Sequence, residues 1–352
     1  DTSGTGHTLV ENLVLNSVTT TALAATSGSF DVTSAIAQLA FGTSPASSIT
    51  AGGNAGSAVT VREEGSDNSL VTTAADSITL SVTGPNSYTK SYSATAVNGV
   101  ATFDLSGDAL TTAGGYSYTA SLTGVTSATS SATVSADSAS AISVISGSGQ
   151  SAVIGAAFTN PLSVKVVDTY NNPVAGATVT FIAPGSGTGA TFSTAAVTAS
   201  NGTTSATATA NGTASATAYA VTASVVGATT PASFALTNTK ASTSVTATPT
   251  ATSIVYGQPV TINAAVTPNA VAGSVPSGSV TFYDGATALT PGGTLAGAAA
   301  SYTVNVPAVG SRTYGAQYAG DTNFSQSSLA SAASPVVVGK ASSTLTPATT
   351  SK

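Results

Sequence analysis

Val260-Thr261-Ile262-Asn263-Ala264-Ala265-Val266-Thr267 decides the fold class of this chain. Val260, Ile262, Ala264 and Val266 fall on one face, and Thr261, Asn263, Ala265 and Thr267 on the other. A period of two is the pattern of a strand with one buried side. The same alternation returns in Ile78, Leu80 and Val82, and again in Tyr116, Tyr118, Ala120 and Leu122. Turn formers separate such runs: Gly84-Pro85-Asn86, Asn98-Gly99, Asn171-Asn172-Pro173, Asn201-Gly202, Asn211-Gly212, Asp284-Gly285 and Gly320-Asp321. Asn-Gly and Asp-Gly accept positive φ and therefore fit tight hairpins. Almost nothing has helical period, so the chain is expected to be all-β, built of antiparallel sandwiches.

A second signal sets the size of the unit. Lys240-Ala241-Ser242-Thr243 reappears as Lys340-Ala341-Ser342-Ser343, a step of 100 residues, which is the length of one seven- to nine-stranded sandwich. The expected organisation is modules at 37–137, 138–240 and 241–340, with 341–352 as the first strand of a following module. Residues 1–36 are expected to be the end of a preceding module or a strand-donating extension. Thr26-Ser27-Gly28-Ser29-Phe30-Asp31-Val32 has the look of a closing strand, and Leu9-Val10-Glu11-Asn12-Leu13-Val14-Leu15 is more apolar than a free linker needs.

Composition narrows the class. Charged residues are 6% of the 352, against about 25% in an ordinary soluble domain, so Ser, Thr, Asn and Gly must carry hydration. Regularly spaced apolar residues and a net charge of only −6 set the chain apart from disordered sequences. Without Cys there are no disulfides and no thiolate metal sites, and Met and Trp are absent as well. That combination favours a bacterial surface protein over antibody-type domains, which depend on a Cys pair and a buried Trp. The chain starts at Asp1 with no charged and then apolar leader pattern, so any signal peptide is expected to have been removed or to lie outside it. No run reaches transmembrane length, so no membrane insertion is expected. Seven Lys plus Arg against thirteen Asp plus Glu leave no basic stripe for a phosphate backbone, and nucleic acid is excluded as a partner.

Longer motifs carry a family resemblance. Leu162-Ser163-Val164-Lys165-Val166-Val167-Asp168, then Asn171-Asn172-Pro173-Val174-Ala175-Gly176-Ala177-Thr178-Val179-Thr180-Phe181, resembles the bacterial Ig-like repeats of the invasin/intimin type. In that turn Asp168 and Asn171 are expected to cap backbone groups, Pro173 to preset φ and Gly176 to permit the bend. Tyr256-Gly257-Gln258-Pro259-Val260, Ser279-Val280-Thr281-Phe282-Tyr283-Asp284-Gly285 and Tyr318-Ala319-Gly320-Asp321-Thr322-Asn323-Phe324 resemble another bacterial Ig-like repeat family. Residues 37–137 resemble the same superfamily more loosely. The resemblance implies tandem immunoglobulin-like β-sandwiches in an elongated array, and it implies function only in outline.

Candidate chemistry is sparse. His7 is the only His, stands near a terminus and has no Gly-x-Ser-x-Gly elbow with it, so a Ser-His-Asp hydrolase is not expected. Glu63-Glu64-Asp67 and the pair Asp104 and Asp108 are the only close carboxylates; each is placed in or beside a turn and read as solvated. The same groups are the best candidates for Ca²⁺, but they lack EF-hand spacing, and Asp168, Asp284 and Asp321 fit turn capping better. Lys165 and Lys90 alternate with inward residues and should face solvent, which disfavours a Lys–Asn isopeptide bond. Tyr314 and Tyr318 share a face with Ala316 and are read as core, and the sequons at Asn201, Asn211 and Asn323 as chance. No catalytic, cofactor or metal residue is assigned.

The function that follows is a non-enzymatic structural or adhesive protein of the bacterial cell surface. Its modules are expected to form a stalk or extracellular filament, with strand donation as a route to polymers. The alternatives are a spacer region of a large secreted polysaccharide-degrading enzyme and a carbohydrate-binding adhesin. Expected partners are copies of itself, neighbouring modules, or a glycan or protein receptor.

Overall fold

The protein is described by a computed structural model covering residues 4–7, 30–32, 35–193, 196–269 and 275–344. Strands dominate it, and the one helical element is a single 3₁₀ turn, Pro85–Ser87. Contacts divide the chain into two units, Asp1–Ser138 with Val167–Asn172, and Ala139–Val166 with Pro173–Lys352.

The first unit holds one sandwich. Gln38–Thr43, Val59–Glu64 and Val100–Phe103 make one sheet; Ser48–Thr50, Ala128–Ser135, Gly114–Ser121, Ser77–Gly84 and Tyr88–Thr95 make the other, in those orders. The alternation read from sequence sets which residues meet: Val59, Val61 and Ala101 from one sheet pack on Ile78, Leu80, Tyr118 and Ala120 from the other. With neither Cys nor Trp, Tyr116 and Tyr118 are the largest buried side chains in this core, and burial first, then the neighbouring Tyr88 and Tyr116, pushes the Tyr118 hydroxyl up to about 12.

The second unit holds two sandwiches of the same plan. In one, Ala141–Ser146, Leu162–Val167 and Thr203–Ala206 oppose Gln150–Val153, Ala232–Thr239, Tyr219–Val225, Thr178–Ile182 and Ala196–Val197. In the other, Thr243–Pro249, Val260–Pro268 and Ala299–Val304 oppose Thr287–Thr294, Ser279–Asp284, Tyr314–Tyr318 and Ala330–Ser331. A small third sheet of Ser253–Val255, Val336–Gly339 and Gly310–Arg312 completes it. Val260, Ile262, Ala264 and Val266 all face inward, as their alternation requires.

These are tandem Ig-like sandwiches with one departure from strict antiparallel order. In each, a short early strand pairs in parallel with the last: Ile49 with Val134, Ala152 with Asn238, and Ile254 with Val338. Short-range alternation cannot reveal this, because parallel and antiparallel strands alternate alike. At the N-terminus, Gly4–His7 pairs antiparallel with Phe30–Val32. The apolar stretch Leu9 to Leu15 and residues 345–352 lie outside the described residues.

Candidate functional site: capped turns and buried carboxylates

Two loops concentrate the buried polar chemistry. Strand Leu162–Val167 ends at Asp168, whose Oδ1 accepts from the backbone N–H of Tyr170 (2.8 Å) and Asn172 (2.8 Å). Its Oδ2 accepts from the Asp137 N–H (2.9 Å) and from Asn172 Nδ2 (2.9 Å). Burial pushes the Asp168 carboxyl up, but these donors outweigh it and hold the group below the usual carboxylate range. Asn172 is itself buried; its Oδ1 accepts from the Ala113 N–H (2.8 Å) and its Nδ2 also donates to Thr111 O (2.7 Å). Asp168 caps the turn as expected, but the second expected capper does something else. Asn171 takes the left-handed conformation (φ 67°) that turns the chain, and its neighbour Asn172 does the bonding.

The second loop repeats the chemistry on a different connection. Asp321 Oδ1 accepts from the N–H of Asn323 (2.8 Å) and Phe324 (2.8 Å), and Oδ2 from the Ser277 N–H (2.8 Å) and Oγ (2.8 Å). Burial raises this carboxyl too, and the donors again hold it low. Asn323 Oδ1 then accepts from the Ala214 N–H (2.9 Å), and its carbonyl from the Ala241 N–H (3.0 Å). Ile154, Ala214, Ala241 and Phe324 close over this joint as part of one apolar cluster with the core of the third sandwich. The side chain of a sequon residue is thus engaged in structure. Asn201 and Asn211 are engaged as well, accepting from the Thr203 and Thr213 N–H groups, each at 3.1 Å.

The carboxylate groups read as solvated loops divide. Glu63 and Glu64 belong to strand Val59–Glu64 and are buried at 0% and 5% exposure, which corrects the loop expectation. The strand pairs through Glu64 with Gln38, so alternation gives way to two consecutive buried acids. Glu64 is matched by Arg62 (3.4 Å) and Gln38 Nε2 (3.3 Å). Glu63 has no hydrogen-bond partner on either carboxylate oxygen among the described residues, and burial, then the nearby Asp76 charge, raise its carboxyl. Asp67 and Asp104 are exposed and cap their own turns through Ser69 N–H (3.0 Å) and Ser106 N–H (2.9 Å). Asp108 was expected to be free in solvent; instead Lys90 and Tyr92 both donate to it, and those two bonds hold its carboxyl low.

The remaining candidates sit where alternation puts them. Lys165 is exposed, Tyr314 and Tyr318 are fully buried, and Asp284 pairs with Arg312 Nε (2.9 Å). His7 lies on strand Gly4–His7. No three His, Cys, Asp or Glu among the described residues are grouped to hold a metal, and none of the described helices is long and apolar enough to cross a membrane. An open concavity of about 550 Å³ on the third sandwich is lined by Thr, Asn, Ser and Ala, with no titratable side chain for proton transfer.

Among solved structures the chain is similar to FdeC, an Escherichia coli adhesin, at 17% identity over 88% of this chain and 98% of that one, with a TM-score of 0.42. It is similar to an I-band fragment of titin at 13% identity, covering 88% and 100%, with a TM-score of 0.38. A tandem-repeat portion of the extending region of a large adhesion protein aligns at 15% identity over 84% and 72%, with a TM-score of 0.35. None of the curated proteins matches the chain. Residues 245–339, the sandwich that carries Tyr256-Gly257, Asp284-Gly285 and the Asp321 turn, match the bacterial Ig-like domain, group 3.

Proposed function

We propose that this chain is a non-enzymatic structural segment of a bacterial surface or secreted adhesin-type protein, its sandwiches serving as spacer modules of a stalk. The observation that carries the reading is the Asp321 joint. There the Ala214 N–H of the second sandwich donates to the Asn323 side chain of the third, and Ile154 of the second joins Phe324 in one apolar cluster with the core of the third, which ties consecutive sandwiches together. A spacer needs such fixed joints, because modules on free linkers coil and transmit neither reach nor force. The match of residues 245–339 to a bacterial Ig-like domain and the charge-poor Ser/Thr surface support an extracellular setting. Asp168 and Asp321 are spent on caps and Asp284 on an ion pair with Arg312.

Small-angle scattering together with negative-stain imaging tests this. The expected result is an extended particle of sandwiches in line. A compact globule with modules folded against one another overturns it. Strand donation by residues 1–36 belongs to the same proposal; deleting residues 1–25 should abolish any filaments the full chain forms.

A further inference from the structure

All three sandwiches finish one end in the same way. The short parallel strand runs out into an apolar residue followed by a glycine in the left-handed region: Ala51-Gly52 (φ 91°), Ile154-Gly155 (φ 79°) and Tyr256-Gly257 (φ 95°). Hydrogen bonding makes the three apolar residues equivalent. Ala51 N–H donates to Ser135 O (2.8 Å), Ile154 N–H to Thr239 O (3.0 Å) and Tyr256 N–H to Gly339 O (2.9 Å). Across the last strand a second set stands at matching places, by register in the first and third sandwiches and by a hydrogen bond in the second. Gly114 pairs with Val134, Ser215 N–H donates to Asn238 O, and Gly310 pairs with Val338. One residue earlier stand Ala113, Ala214 and Val309.

Two of these ends are covered. At the first, Asn172 accepts from Ala113 N–H, and Tyr170 lies so close over Gly52 that a Cβ there would come within 2.4 Å of its hydroxyl. At the second, Asn323 accepts from Ala214 N–H, and Phe324 shares one apolar cluster with a fully buried Ile154. The covering element is in each case an Asp-capped turn with an aromatic residue and an asparagine, although one follows strand Leu162–Val167 and the other Tyr314–Tyr318. Among the described residues nothing covers the third end in this way. Tyr256 is 50% exposed where Ile154 is 0%, and Val309, next to the Gly310 that pairs with Val338, is 46% exposed. Ala341 is exposed where its counterpart Ala241 is buried.

We propose that this end of the third sandwich is a docking socket for a further immunoglobulin-like sandwich. An Asp-capped turn of the incoming module places an asparagine side-chain oxygen on the Val309 N–H and an apolar or aromatic side chain on Tyr256. The occupant is chosen by the two filled copies of the same end in this chain. The half-exposed Tyr256 also offers a face to a sugar, which the test separates. The socket rests on the spacer part of that reading but not on the surface setting, since a spacer in any secreted protein would use it.

The test joins a second copy of residues 241–340 directly after Lys340 and follows amide hydrogen exchange in the segments around Tyr256 and Val309. Exchange there should slow by about tenfold or more, toward the protection of Ile154 and Ala214. Asn→Ala at the appended copy's equivalent of Asn323 should return it to the rate of the unextended chain, whereas Asn323→Ala in its original position should speed exchange at Ala214. A second extended chain carrying residues 139–240 repeats the experiment with the Asp168 turn. The proposal is overturned if the added sandwiches fold but leave the Tyr256 and Val309 segments unchanged. It is overturned as well if neither extension folds, because the socket must accept a sandwich without rearrangement. Saturable protection of Tyr256 by soluble oligosaccharides, with none from the appended modules, assigns the site to glycan instead.

Discussion

At the scale of single residues, the two capping aspartates and the buried glutamate pull stability in opposite directions with pH. Asp168 holds four donors, so Asp168→Ala strands buried N–H groups and should cost roughly 3 kcal/mol in urea unfolding at pH 7. Its folded pKa is depressed, so that contribution is present above the unfolded value, near 4, and is lost as pH falls through the folded value. The stability gap between the native protein and Asp168→Asn should therefore narrow in acid. Glu63 has the reverse sign. Its folded pKa is raised, so the site favours folding below the unfolded value and that contribution is lost as pH rises through the folded one. Glu63→Gln removes a buried charge beside Asp76 and should raise stability at pH 7 by about 1 kcal/mol, with the gain fading toward pH 4. A Glu63→Gln protein that is less stable at neutral pH contradicts this assignment.

At the scale of elements, the alternating strands were legible because a period of two is a local property. Val260 to Thr267 and Ile78 to Val82 place their inward residues as read. Glu63 and Glu64 were misread because consecutive acids look like a turn, and only the pairing of their strand with Gln38–Thr43 shows that they continue it. Asn172 was missed for a related reason. Asn-Asn-Pro announces a turn, but which asparagine turns the chain and which bonds depends on the φ at Asn171 and on the position of Ala113, 59 residues earlier. The left-handed glycines behave as elements of their own. A Cβ on Gly257 would meet nothing within 4 Å, so Gly257→Ala isolates the backbone penalty of its φ of 95°. It should cost about 1 kcal/mol, read from thermal unfolding.

At the scale of the whole molecule, cohesion within the second unit rests on a small number of side chains that two sandwiches share. Ile154 comes from the second sandwich yet clusters with Phe324 and the core of the third. Phe324→Ala should therefore cost about 3–5 kcal/mol and also uncouple the two sandwiches, splitting one calorimetric transition into two. An unsplit transition with the same loss would confine Phe324 to its own core. By contrast, the Lys90–Asp108 pair is partly exposed and should be worth less than about 1 kcal/mol, so Lys90→Met should leave unfolding nearly unchanged.

The sequence by itself determined that the chain is all-β and that residues 241–340 carry an Ig-like pattern, and its repeat spacing proposed a unit of about 100 residues. Alternation, turn residues and repeat spacing are all readable along one dimension, because each depends on neighbours a few positions apart. Only the tertiary structure decided which end of each sandwich is covered and by what. That outcome depends on backbone groups such as the Ala214 N–H meeting an asparagine 109 residues away. Partners at such a distance leave no local period, and a buried Ile154 and a half-exposed Tyr256 are told apart only once the fold is in place.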